Sequence, residues 1–289
     1  MSVFKRTRYL LLASIAVASV FAAAASAANA AVIYNNIPSP LPGNFASFGN
    51  EAYSMAEFGG MVEFAAPGQK HQTVTVAMST WACQYGQVYP NTCETPKPNK
   101  KAKVPVTLNV YEVGPGNTVG AKLGTTTKTF RMPYRPTRDT TGTCVGKGYE
   151  AGTWYDATTD ACYHGMAFTI TFKKLHLETR KKEIISVSYN TTGHGPAPIG
   201  LTACNSTVAG CYYDSLNVAI IEPAEGAPSA GSNPTNELYI NTTYEEMYCG
   251  SGTPLGTFGP TAPIEGSCAS NNVYGTEAGI QPAFSVSAE

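Results

Sequence analysis

The sequence predicts an all-β protein, an antiparallel jelly-roll or Greek-key β-sandwich whose long loops are stapled by disulfides. Hydrophobic and polar residues alternate with period two in about ten short segments, which is typical of half-buried strands. The chain has no convincing amphipathic helix, and it carries 8 cysteines. Together these observations favour short strands joined by long, cross-linked connections.

The clearest strand is predicted at 73–81, where valine and methionine fall on one face and threonine and alanine on the other. A glycine-rich turn at 114–117 predicts a hairpin between two further strands. In another strand, Gly59-Gly60 predicts a bulge or a bend. The remaining strands are predicted at 31–34, 57–65, 104–113, 122–132, 166–172, 183–189, 215–221, 237–243 and 280–286.

The N-terminus has the three parts of a secretory signal peptide. Basic residues at positions 5–8 precede an apolar run at 9–25, and Ala-Asn-Ala at 28–30 provides a cleavage site. The apolar run is shorter than the about 20 residues that a membrane-spanning helix needs. We therefore expect residues 1–30 to be removed and the protein to be secreted, either extracellular or periplasmic or associated with the cell surface. The alternative is an uncleaved membrane anchor.

The mature chain, residues 31–289, has a length that suits a single β-sandwich domain. No later stretch is apolar for long enough to span a bilayer, so no membrane span is predicted in it. The whole chain has a formal net charge of −1, and loss of the three basic residues near the N-terminus makes the mature chain more acidic. This charge predicts no nucleic-acid partner.

All cysteines lie in the mature chain, and an even number in an exported protein predicts a disulfide framework. Eight thiols allow about 105 connectivities, but the cysteines follow one another as successive close pairs. The simplest pairing is Cys83 to Cys93, Cys144 to Cys162, Cys204 to Cys211 and Cys249 to Cys268. The chain has no C-x-x-C motif and no cysteine–histidine spacing typical of zinc, so no metal site and no cofactor are predicted.

The stretch TWYDATTDACYHG at 153–165 concentrates residue types that catalytic or metal-binding loops use. Because Cys162 is expected to pair with Cys144, we interpret the stretch as part of a disulfide-closed loop. Aspartate and threonine between Asp156 and Asp160 are typical of turns, since their side chains bond nearby backbone N–H groups. The aromatic residues of this stretch either cover the core or form an exposed ligand platform.

The chain has no recognisable catalytic motif: G-x-S-x-G, H-E-x-x-H, S-x-x-K and the P-loop are all missing from the sequence. A glycoside hydrolase with a carboxylate pair stays open, because the fold alone can bring two acids together. Candidates on or near strands are Glu57, Glu63, Glu112 and Asp214. Calcium bound by aspartates in the loops is a weaker possibility, because no D-x-D-x-D run is found.

The 17 tyrosines are the compositional outlier, and several lie in loops beside cysteines. Tyrosine and tryptophan suit binding surfaces, because they offer a flat apolar face and a polar tip. The leading hypothesis is a non-enzymatic module that binds extracellular polysaccharide or a cell-envelope component through Trp81, Trp154, Tyr155 and Tyr163. The alternatives are a structural or adhesive surface module without a small ligand, and the hydrolase above.

Six stretches carry a resemblance to a known group. They are FGGMVEFA, VTVAMSTWAC, VTLNVYEV, MPYRP, TWYDATTDACYHG and YDSLNVAI. Together they resemble a family of exported bacterial all-β proteins with signal peptides and paired cysteines, in which some members carry C-terminal sorting anchors. The resemblance implies a secreted β-sandwich and implies no catalytic activity. Because this chain ends in FSVSAE without an anchor, we expect release or noncovalent attachment.

Overall fold

The computed structural model of the protein describes residues 30–51, 53–70, 73–85, 92–150, 153–190, 216–222, 225–235, 238–243, 252–261 and 279–288. The predictions for the signal peptide and for Cys204, Cys211, Asp214, Cys249 and Cys268 lie outside the described residues.

Antiparallel β-strands make up about half of the described chain. The strands are β1 (Ala31–Asn35), β2 (Met55–Glu63), β3 (Thr73–Thr80), β4 (Lys101–Val113), β5 (Val119–Pro133), β6 (Trp154–Asp156), β7 (Ala161–Tyr163), β8 (Met166–Phe172), β9 (Lys182–Ser188), β10 (Leu216–Val218), β11 (Ile220–Ile221), β12 (Leu238–Thr242), β13 (Gly259–Pro260), β14 (Gln281–Pro282) and β15 (Phe284–Ala288). One short helix, α1 (Thr143–Gly146), and a 3-10 turn at Pro115–Asn117 are also present.

The larger sheet has the strand order β5-β4-β9-β2-β12-β13, and all its pairs are antiparallel. Its longest pairing is the β4–β5 hairpin, which begins at Lys101↔Pro133 and reaches Val113↔Val119 next to the 3-10 turn. The hairpin predicted from the glycine-rich turn is therefore confirmed.

The smaller sheet is built around β3. Strand β8 pairs along one edge of β3, while β15 and β10 share the other edge, and β1 pairs with the outer side of β15. Where β10 and β15 meet beside β3, the backbones of Ala77, Ala219 and Ala283 hydrogen-bond to one another in a ring. Small side chains suit this crowded position, and all three alanines are buried.

The two sheets enclose one hydrophobic core. The smaller sheet contributes Val74, Val76, Phe172, Phe284 and Val286, and the larger sheet contributes Phe58, Val106, Leu108, Ile185, Val187 and Ile240. These are the apolar positions of the period-two pattern, so alternation in the sequence becomes an inward face on each strand. The all-β antiparallel sandwich is therefore confirmed, whereas the jelly-roll connectivity and the single domain stay predictions.

The bulge predicted at Gly59-Gly60 is wrong. Strand β2 passes through both glycines in unbroken register with β9. A Cβ atom at Gly59 would lie 2.4 Å from the carbonyl oxygen of Ile185, and one at Gly60 would lie 2.7 Å from the ring of Pro282. The glycines therefore allow close approach of neighbouring chain segments rather than a break in the ladder.

None of the helices among the described residues is both long and apolar enough to cross a membrane.

Candidate functional site

Several short extended segments lie where β3 and β5 end and β8 begins. We call residues 81–85, 92–95, 134–139 and 153–165 the end layer. Its segments are joined by backbone hydrogen bonds, of which the amides of Arg135, Arg138 and Tyr155 donate three, to Ala82, Cys93 and Thr137 at 3.0, 3.1 and 3.0 Å. The sequence predicted loops here, but the structure has a small sheet-like arrangement.

A disulfide links the β6–β7 hairpin of the end layer to α1. Cys144 of α1 is bonded to Cys162 of β7, with their Cα atoms 5.7 Å apart, so this predicted pairing is confirmed. The predicted turn at Asp156 is also confirmed. Burial acts against ionisation of Asp156, but hydrogen bonds from the amide and hydroxyl of Thr158 and the hydroxyl of Thr159 lower its pKa.

The hairpin register separates the predicted ligand-binding aromatics. Trp154 lies opposite Tyr163, and Tyr155 lies opposite Cys162. Because directly opposed residues share a face and successive residues alternate, Trp154 and Tyr163 are on one face and Tyr155 is on the other. The four predicted site residues therefore do not form one surface.

Trp154 is buried rather than exposed, so its predicted role as a ligand platform is corrected. Only 4% of Trp154 is exposed. The guanidinium carbon of Arg135 lies 3.6 Å from the centre of the Trp154 ring and 5.7 Å from that of Trp81. The two indoles also meet edge to face at 5.9 Å. The structure agrees with the alternative interpretation, in which Trp154 packs against the interior.

Arg135 is the residue that the sequence analysis missed. Its side chain is completely buried, and its Nε and Nη1 atoms have no hydrogen-bond partner. Among the described residues no carboxylate lies within salt-bridge distance of it. A buried cation is costly without compensation, and here cation–π contact with two indoles compensates part of that cost. The sequence gives only a weak signal, an arginine between prolines in MPYRP.

A series of aromatic rings connects Trp81 to the surface. The ring centres lie 5.9 Å apart for Trp81 and Trp154, 6.5 Å for Trp154 and His164, and 6.2 Å for His164 and Tyr149. We call these four residues the aromatic chain. Its outer end, Tyr149, is 36% exposed. Partly buried Tyr163 immediately precedes His164 in sequence and lies on the same face of the hairpin as Trp154.

Tyr155 belongs to a separate polar cluster on the opposite face. Its hydroxyl donates to the carboxylate of Asp160 at 2.8 Å, which raises the pKa of Tyr155. Lys147 forms an ion pair with the same carboxylate at 2.6 Å and lies 5.7 Å from the centre of the Tyr155 ring. The hydrogen bond from Lys147, followed by that from Tyr155, lowers the pKa of Asp160. The cluster thus fixes the Tyr155 ring in place.

Cys83 and Cys93 lie together under Trp81 and Trp154, but they do not form the predicted disulfide. Both side chains are buried and belong to one cluster with the two indoles. The Nη2 atom of Arg135 donates a long hydrogen bond to the Cys83 sulfur, with 3.9 Å between the two atoms. The two cysteines therefore lie close together as predicted, whereas the predicted bond between them is not present. The backbone pairing of Tyr85 with Glu94 brings the two segments together.

The candidate carboxylates of a hydrolase are engaged in other contacts. Glu63 forms ion pairs with Lys181 and Lys182, and Glu112 pairs with Arg180 at 3.0 Å. Glu57 is the acceptor of a hydrogen-bond network on the larger sheet. The donors to its Oε1 atom are Asn109 at 2.8 Å, Tyr111 at 2.9 Å and Ser186 at 2.5 Å. None of these acids lines the pocket between β4, β5 and residues 174–177.

No metal cluster marks the aromatic chain. Within the described ranges no group of three or more His, Cys, Asp or Glu side chains is placed to hold a metal ion. A half-open pocket of about 170 Å³ lies between β4, β5 and residues 174–177, away from the end layer. It is smaller than the about 300 Å³ at which small-molecule sites begin.

Comparisons of the chain with protein-family models, with curated proteins and with solved structures give no match.

Proposed function

We propose that the protein is a secreted, non-enzymatic β-sandwich that binds an extracellular or envelope polysaccharide through the aromatic chain and Tyr163. The observation that carries this proposal is the aromatic chain, whose rings run from buried Trp154 to exposed Tyr149. The Cys144–Cys162 disulfide supports an oxidising compartment such as the cell exterior.

The aromatic chain supplies what sugar binding requires, which is a flat ring held rigidly at the surface. Tyrosine loses little conformational entropy on binding and combines an apolar face with a polar tip. Tyr149 lies three residues after the end of α1, and its amide donates to the carbonyl of Cys144 at 2.9 Å, so the disulfide anchors its backbone. Tyr163 and His164 come from the tied hairpin itself. Trp154 acts as the base of this surface.

The test is a fluorescence titration of the oxidised protein against a panel of soluble polysaccharides. Trp154 is a suitable reporter because its ring contacts His164, next to the proposed surface. We expect a saturable emission change with at least one glycan, and Tyr149→Ala should weaken binding tenfold or more. A tenfold loss corresponds to about 1.4 kcal/mol, a reasonable contribution for one stacked ring.

Tyr155→Ala is the matched control, because Tyr155 lies on the same hairpin but faces away from Trp154. It should leave the affinity unchanged. An equal loss in both variants would contradict the assigned face. Silence across the whole panel would overturn polysaccharide binding and favour a structural or adhesive surface module, whereas release of shorter sugars during the titration would favour a hydrolase.

A further inference from the structure

Strand β5 is an uncovered edge of the larger sheet in the part of the chain that the structure describes. It is the longest of the described strands, with 15 residues, and its backbone pairs there with β4 alone. Successive residues of a strand direct their backbone N–H and C=O groups to opposite sides. About half of the β5 residues therefore present these groups away from β4, where no described strand accepts them.

The other edges of the two sheets are short or partly covered within the described ranges. The opposite edge of the larger sheet is β13, which has two residues and includes a proline. On the smaller sheet, Asn35 of β1 exchanges backbone hydrogen bonds with residues 229–230, and the amide of Ala167 in β8 donates to Gly43 at 2.9 Å. Such protection is usual, because bare edges pair with other chains. The long bare edge of β5 is the exception.

The second half of this edge is regular and accessible. Over residues 125–133, β5 pairs with β4 without a register shift. Phe130 turns inward and meets Phe172 edge to face, with the ring centres 4.9 Å apart. Lys128 is on the same face as Phe130 and donates to the carbonyl oxygen of Thr171 at 3.3 Å. The exposed residues of this stretch are Thr125, Thr127, Lys128, Thr129 and Arg131.

The charge along this edge has one sign. Strand β5 carries Lys122, Lys128 and Arg131 and contains no acidic residue. Lys103 of β4 lies directly opposite Arg131. None of these four cations forms an ion pair with a carboxylate of the described residues. Because like charges repel across a strand pair, the edge opposes pairing with a second copy of β5 and favours an acidic strand.

We propose that the free edge of β5 binds an extended acidic segment of a partner protein by strand addition. The backbone of the partner pairs with the outward N–H and C=O groups of residues 125–133, and such main-chain hydrogen bonds supply the affinity. Side chains supply the selectivity, because pockets and charges beside alternate positions select the residues of the added strand. Acidic side chains of the partner face Lys128 and Arg131, and an apolar side chain lies beside Phe130.

The test measures peptide binding to the purified, oxidised chain by fluorescence anisotropy at about 0.15 M salt. The probe is a labelled synthetic peptide that matches the length of residues 125–133 and in which glutamate alternates with valine. The control peptide has the same sequence but is N-methylated at every residue, so it keeps the charge and has no backbone N–H donor. We expect saturable binding of the probe and at least tenfold weaker binding of the control peptide.

Two single variants with the same change of charge locate the binding. Lys128→Glu alters the edge, where Lys128 lies opposite Val106 of β4, whereas Lys181 precedes β9, whose Glu183 lies opposite Glu112. At about 3.4 Å per residue the two lysines are about 20 Å apart, well beyond the screening length of about 8 Å. Both lysines are exposed, so both variants should fold. We expect Lys128→Glu to weaken binding of the probe at least tenfold and Lys181→Glu to change it less than twofold.

Four results would overturn the proposal. One is a probe that does not bind, and another is an equal loss in the two lysine variants. Equal binding of the probe and the N-methylated peptide would mean that charge alone attracts the ligand, as it would an acidic polysaccharide. A parent chain that is dimeric in analytical ultracentrifugation and monomeric as Lys128→Glu would make a second copy the occupant. No residue of the aromatic chain belongs to β5, so this proposal and the proposed function fail independently.

Discussion

Replacing Trp154 by alanine should cost most of the stability of the end layer. The indole is 4% exposed and lies against the buried guanidinium of Arg135 at 3.6 Å. Truncation of a buried tryptophan costs about 3 to 5 kcal/mol, and a desolvated cation–π contact adds about 2 kcal/mol. We expect Trp154→Ala to lower the free energy of unfolding by about 5 kcal/mol. Trp154→Phe keeps an aromatic face for Arg135 and should cost about 2 kcal/mol.

The assay is urea unfolding of the oxidised protein followed by circular dichroism. With a denaturant slope of about 2.5 kcal/mol per molar, a loss of 5 kcal/mol moves the midpoint by about 2 M. Tyr85→Ala is the control, because Tyr85 is 57% exposed and its loss should stay within about 0.5 kcal/mol. A loss below about 1 kcal/mol in the unfolding free energy of Trp154→Ala would refute the reasoning, because removal of a ring that contacts a buried cation should destabilise the protein by more than that.

Three further outcomes are expected. Replacing Cys144 and Cys162 together by alanine should destabilise the chain by about 3 kcal/mol, from the closure entropy of the loop between them, as measured by the urea midpoint. Gly59→Ala should cost about 1 to 3 kcal/mol, because the new Cβ would meet a carbonyl of β9 at 2.4 Å, whereas Gly146→Ala, with open space around it, should be nearly neutral. Hydrogen bonds from the Cys144 amide and, to a smaller extent, from Thr141 lower the pKa of Asp139 to about 2. The stability that this carboxylate adds should therefore be present above pH 4 and be lost as the pH falls toward 2. The Asp139→Asn variant should not show this pH dependence.

Each of these expectations has a clear contrary result. An unchanged midpoint after reduction of the Cys144–Cys162 disulfide would show that the loop is held by its hydrogen bonds alone. Equal effects of alanine at Gly59 and Gly146 would mean that β2 and β9 can separate without cost. An acid-unfolding profile that is identical in the parent and in Asp139→Asn would assign the acid sensitivity to other groups.

Strands were the part of the fold that the sequence could predict. Residues 166–172 were expected as a strand with the observed bounds, and 73–81 differs by one residue from β3. The reason is physical, since a strand with one buried face must alternate and the pattern is local. Where two strands meet other neighbours, as at 215–221 and 280–286, the prediction was a single strand and the structure has two short ones.

The end layer could not be predicted in the same way. Its segments are short, and the partners that bury Trp154 come from three separate stretches of chain, so no local pattern reveals them. The same limit applies to Arg135, whose aromatic neighbours are far from it in sequence. Cysteine spacing did locate the Cys144–Cys162 disulfide and the common cluster of Cys83 and Cys93, because closely spaced cysteines limit the geometry.

The pairing of β1 with β15 joins strands from opposite ends of the described chain, from Ala31↔Ala288 to Asn35↔Ser285. β15 also covers half of one edge of β3, the central strand of the smaller sheet. A chain that emerges N-terminus first therefore holds β1 and that part of β3 without their β15 neighbour until 284–288 have been made. Contacts between such distant segments form slowly, and strand edges that wait for a partner are prone to pair with other chains. The last strand thus sets the moment at which the protein can close its smaller sheet.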